Sequence, residues 1–264
     1  MYRLGLFTIV MLFAAAPVAH AANCPQTELS TAASQVQDAR NVLLGLPVSA
    51  EPVLPKQAAS AITGMKLKLA AFVLAYMQCQ PENADVPGIA IDLARLGWAQ
   101  DQAPPRGALF SGALVFAARA PQQGMIGITA RFGIRCGSDT MLMLFEHSDE
   151  GWNEVLRAAS PTYRDTAHAY QDFDYAVAPP DDDGNWFVVE KHAPAACSPG
   201  TGGLNYAVLR PTHDPTKPKV LFSGHDAGLK PDAALEVGSN SFMLGTVGDT
   251  PHRFAVTGQT VTPL

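Results

Sequence analysis

The chain has 264 residues, 47% of them apolar, and carries 18 basic against 24 acidic residues for a formal net charge of −6. That is enough apolar material for one large or two small domains with real cores. The acidic balance, with no run of Lys or Arg, argues against nucleic acid or an anionic membrane surface as partner.

Residues 1–21, MYRLGLFTIVMLFAAAPVAHA, read as a secretory signal peptide. One basic residue, Arg3, precedes an apolar run from Leu4 to Ala16, and Ala19-His20-Ala21 offers small residues where a signal peptidase cuts. Asn23 before Cys24 is too bulky for a lipid-attachment site. Cleavage after Ala21 leaves 243 residues with 17 basic against 24 acidic side chains. The expected location is periplasmic or secreted, with no membrane span once the signal is removed. All four cysteines, Cys24, Cys79, Cys136 and Cys197, lie in this exported part, where disulfides are the default.

Residues 22–104 read as a small helical hairpin module. A first helix runs from Thr27 to Leu46, stopping near Gly45 and Pro47. A second occupies 56–79, with Ile62, Met65, Leu69, Phe72, Val73 and Met77 at helical spacing. Its most apolar part, Leu69 to Met77, is too short to cross a bilayer and follows Lys66 and Lys68, so it reads as a core helix. A third, 89–96, places Ile89, Leu93 and Leu96 on one face. An antiparallel hairpin of the first two helices sets Cys24 beside Cys79, which leaves Cys136 to pair with Cys197. The first bridge closes a loop worth roughly 4 kcal/mol in the entropic account.

Ala99 to Gly107, AQDQAPPRG, reads as the linker, and residues 105–264 change character. Short apolar runs punctuated by Gly, Pro, Asp and Asn suggest about a dozen strands, at 109–119, 125–136, 140–147, 152–157, 172–178, 185–192, 204–210, 218–223, 233–237, 241–246, 252–256 and 259–262. No long helical pattern interrupts them. The fold class is therefore α+β: the helical module followed by an antiparallel all-β domain, as a sandwich, barrel or curved meander. A weak echo, DYAVAPP at 174–180 and NYAVLRP at 205–211, fits successive hairpins.

The acidic stretch APPDDDGNWFVVE, 178–190, invites a calcium-loop reading with Gly184 at the sixth position. Pro179 then occupies the first position, which needs a carboxylate, and the Glu190 end has strand character. A tight turn at Asp183-Gly184 between two strands is the better reading. Odd residues of one strand then face even residues of the next, so Tyr175 shares a sheet face with Trp186, Glu190 and His192. These four are the candidate ligand-binding residues, with Glu190 orienting or charging His192, or with both forming a surface ion pair under Tyr175.

No nucleophile elbow, H-E-x-x-H, C-x-x-C or phosphate loop is present, and no cofactor is expected. The leading expectation is a non-catalytic binding or structural protein with an unknown ligand or protein partner. The rival is a hydrolase with a dispersed site around Glu190 and His192, metal-assisted in one version.

Overall fold

The computed structural model describes residues 24, 26–46, 54–97, 110–134, 136–161, 169–195, 202–246, 248 and 250–264. The signal segment and Cys197 lie outside them. Three helices come first: α1 (Gln26–Leu44), α2 (Lys56–Met77) and α3 (Val86–Gly97). Leu29, Val36 and Leu43 of α1 recur every seven residues and are buried, the spacing that holds one stripe against a neighbouring helix. In α2 the buried residues include Ile62, Met65, Leu69, Phe72, Val73 and Met77, the set expected from the spacing. By length and composition α2 is also apolar enough to cross a membrane, and half of that apolar stretch is packed inside the protein. Helix α3 starts three residues earlier than its apolar face suggests, because Pro87 fits a first turn without losing a hydrogen bond. Ile89 and Leu93 are buried as expected, but Leu96 is 39% exposed and lies off that face.

Twelve strands follow. They are β1 (Phe110–Arg119), β2 (Met125–Ile134), β3 (Gly137–Ser148), β4 (Gly151–Ala159), β5 (Gln171–Val177), β6 (Val188–Ala193), β7 (Leu204–Arg210), β8 (Lys219–Asp226), β9 (Ala234–Gly238), β10 (Ser241–Gly245), β11 (His252–Thr257) and β12 (Thr260–Pro263). They form three successive antiparallel meanders of four strands each, β1–β4, β5–β8 and β9–β12. The repeating unit is thus the whole meander. The echoed segments DYAVAPP and NYAVLRP supply β5 and β7, second neighbours within one sheet.

Each sheet has two faces, and apolar residues cover most of them. Ile126, Ile128, Ala130, Phe132 and Ile134 of β2, with Met141, Met143 and Phe145 of β3, join the helices in one continuous core. The opposite face of that sheet, with Met125, Leu142, Leu144 and Leu156, packs on Tyr175, Val177, Val188 and Leu209 of the second sheet. The far face of the second sheet, with Phe187, Val189, Tyr206 and Val208, packs on Phe242, Leu244, Phe254 and Val256 of the third. The order of layers is therefore helices, first sheet, second sheet, third sheet. Strand β2 lies between two cores and is buried along nearly its whole length, as expected when both faces of a sheet are covered.

The change from helix to strand falls between 98 and 109, outside the described residues, but the core runs across it. Trp152 of β4 donates its indole N–H to the Pro81 carbonyl at 3.0 Å. Lys66 of α2 reaches the buried Asp139 of β3 at 3.4 Å and donates to the Ser160 carbonyl at 2.6 Å. Cys24 and Cys79 are disulfide-bonded at the open end of the α1–α2 hairpin. Cys136 is disulfide-bonded as well, and Cys197, the partner expected from the sequence, lies outside the described residues. The Cys24–Cys79 bridge is compatible with an oxidising compartment.

The acidic loop is a turn. Gly184 has φ 79° and donates to the Asp181 carbonyl at 2.9 Å, while Asp181 N–H donates to the Asn185 carbonyl at 2.8 Å. This is a three-residue loop with glycine in the left-handed position, one residue longer than the Asp183-Gly184 turn read from the sequence. The odd residue is absorbed outside the ladder, between the Asp181/Asn185 closure and the Ala178 N–H to Phe187 carbonyl bond. The odd-to-even pairing survives, with Tyr175 opposite Glu190 and Val177 opposite Val188.

Candidate functional site

The four residues singled out by sequence do share a face, and that face is turned inward. Tyr175 is 4% exposed, and Trp186 is half-buried in the same apolar cluster as Val177, Val188 and the first sheet. The Tyr175 ring crosses over Gly127 of β2 so closely that a Cβ there would stand 2.0 Å from its hydroxyl. Glycine is required at 127 by this approach. Among the described residues the hydroxyl has no hydrogen-bond partner of ordinary geometry, and Arg119 is the polar group nearest to satisfying it. Burial pushes the Tyr175 phenol up, against the opposing pull of Arg119.

Glu190 and His192 form no ion pair with each other. Burial raises the Glu190 carboxyl to about 7, and burial lowers the His192 imidazole to about 4. Both are neutral near pH 6, because an apolar interface disfavours either charge. His192 instead stacks on Tyr170 with ring centroids 3.5 Å apart, and Tyr170 lies parallel to Phe173 at 6.1 Å. Burial, with smaller contributions from the charges of Glu190 and Asp139, pushes the Tyr170 phenol up. The surface ion pair expected under Tyr175 is thus replaced by a neutral cluster between two sheets.

The opening lies at the rim of this interface. Ala117, Ala118 and Arg119 of β1, Thr129 and Arg131 of β2, and Phe173, Asp174 and Tyr175 of β5 enclose a cleft of about 130 Å³. Tyr175 is the one sequence-predicted residue that lines it. Arg119 is held twice, by Asp174 at 3.0 Å and by the Tyr175 ring, over which its guanidinium carbon sits at 3.6 Å. The second contact is a cation–π arrangement, shielded by the sheets on one side. Arg131 has no carboxylate partner among the described residues.

The sequence reading missed Arg119, Arg131 and Tyr170. The arginines come from two strands paired out of step, with Arg131 opposite Val115 and Arg119 opposite Gly127. A local signal did exist in β2, where Thr129 and Arg131 alternate with Ile128, Ala130 and Phe132. One face of an otherwise apolar strand carries polar groups, which marks a face that is not plain core. Among the described residues no three His, Cys, Asp or Glu side chains gather as metal ligands. The chain matches no known family, and no similar curated protein or solved structure was found.

Proposed function

We propose that this is an exported, soluble binding protein of the periplasm or cell exterior, and that its ligand site is the cleft between β1–β2 and β5. The observation that carries the reading is Arg131: a guanidinium without a carboxylate partner among the described residues, lining a small cleft on a protein of net charge −6. Arg119, the other cation lining the cleft, is already paired with Asp174, so Arg131 is the group left to meet an anion. The cleft residues stand on hydrogen-bonded strands of two sheets, which reduces the ordering cost of binding. The signal-like segment 1–21 and the disulfide support export.

The rival hydrolase has one observation in its favour, a carboxyl held near 7, the range of a general acid or base. Against it, the neighbouring imidazole is neutral and stacked on Tyr170, and the cleft is lined by neither Glu190 nor His192. The test is native mass spectrometry of the exported protein together with thermal melts against small anions, neutral molecules and cations. Melting temperature should rise with an anion and with none of the cations, and Arg131→Gln should remove the rise. Turnover of ester or amide substrates that is lost in Glu190→Gln would favour the hydrolase and sink the binding reading.

A further inference from the structure

We propose that the ligand of this cleft is a small monocarboxylate, held by its two oxygens against Arg131, with Arg119 and the Thr129 hydroxyl alongside. The inference rests on the cleft being a ligand site and adds what the ligand must be.

Charge sets the first condition. Arg119 and Arg131 supply two positive charges to the cleft and Asp174 one negative, so one unit of positive charge is unmatched. A monoanion neutralises it, whereas a phosphate monoester close to −2 at neutral pH would bring an excess charge toward Asp174. Shape sets the second. A guanidinium presents a planar fork of donors, and a carboxylate is the planar monoanion that fits it with two parallel bonds. Arg119 is already committed to Asp174 and to the Tyr175 ring, which leaves Arg131 to make the two-point contact. Size sets the third. A cleft of about 130 Å³ holds roughly four waters' worth of liquid, so the part of the ligand that it takes in is a carboxylate with a short tail. Ala117 lies between the arginines on their own sheet face and the Phe173 ring comes from β5 across the cleft, and both suit an apolar tail of a few carbons.

The test uses the full exported chain, labelled with ¹⁵N, titrated at pH 7 with acetate, propionate, propionamide, ethylamine and inorganic phosphate. Propionate should shift the amides of Thr129, Arg131, Phe173 and Tyr175 and saturate with a Kd on the order of 10 µM to 1 mM, as expected for so few atoms. Acetate should bind at the same amides, and propionamide and ethylamine should not. Arg131→Gln should weaken propionate at least tenfold while leaving the spectrum elsewhere unchanged, and Arg131→Lys should recover part of the loss. Arg131 makes no ion pair among the described residues, so these variants are expected to fold. Phosphate or propionamide binding at these amides as tightly as propionate would overturn the carboxylate assignment and leave the cleft as a ligand site. If no probe shifts them, the assignment and the binding reading fall together.

Discussion

At the scale of single residues, the pair Glu190 and His192 shows how burial can rewrite what a sequence suggests. Adjacent even positions on a strand, one acidic and one basic, read as an ion pair. Inside a sheet interface each loses its charge instead, the carboxyl titrating near 7 and the imidazole near 4. Their effects on stability oppose each other. The raised Glu190 contributes stability that is fully present below about pH 4.5 and lost as pH rises through 7. The depressed His192 contributes stability present above about 6.5 and lost as pH falls through 4. Between 4.5 and 6.5 the two slopes largely cancel. Glu190→Gln should expose the histidine slope, with stability falling as the pH is lowered across this window. His192→Gln should expose the glutamate slope, with stability rising. Each slope should approach about 1.4 kcal/mol per pH unit in urea unfolding at stepped pH. Parallel slopes in the two variants would show that these groups do not titrate as the structure implies.

At the scale of elements, what was legible and what was not follow from the range of the interactions. All three helices and all twelve strands could be read, since periodicity and turn residues are local signals. Strand β3 was read as starting at Thr140 and actually starts at Gly137, because its first turn carries Ser138 and Asp139, polar residues that look like loop. Asp139 is completely buried with Lys66 of α2, 73 positions earlier in the chain, as one partner, and no local pattern reveals that. The cleft arginines were illegible for the same reason. The Lys66–Asp139 contact also supplies a prediction about how α2 is held to the first sheet. Asp139→Ala leaves a buried ammonium without its carboxylate and should cost about 3–5 kcal/mol. Replacing both partners, as Lys66→Met with Asp139→Leu, should cost less than Asp139→Ala alone, since neither member of this pair is then left buried without the other. Chemical unfolding of the two variants decides it, and a double variant less stable than the single one would show that the pair itself contributes net stability.

At the scale of the molecule, the stacked layers determine which parts can stand alone. A boundary near residue 105 separates helix from strand, and it was drawn at the sharpest change in the character of the chain. The cores are divided differently: Leu69, Phe72 and Ile89 of the helices share one cluster with Phe116, Ile128, Phe132 and Phe145 of the first sheet. Covering that face matters, because a sheet with an apolar face open to water is both unstable and prone to pair with other chains. The third sheet ends the stack differently, its open cleft being bordered by Glu236, Ser241 and Arg253 as well as Met243. The outer face of the third sheet is thus partly polar, whereas the helix-side face of the first sheet is apolar and covered. Residues 105–264 produced without the helices should aggregate or remain partly unfolded, with hydrogen exchange of β2 and β3 far faster than in the full chain. In the full chain the helices and the first sheet should unfold together, and reduction of the Cys24–Cys79 bridge should lower the stability of both by up to roughly 4 kcal/mol. If residues 105–264 instead give a monomer with native-like exchange protection in β2 and β3, the shared core contributes little, and the helices are an appendage to a β fold that is complete without them.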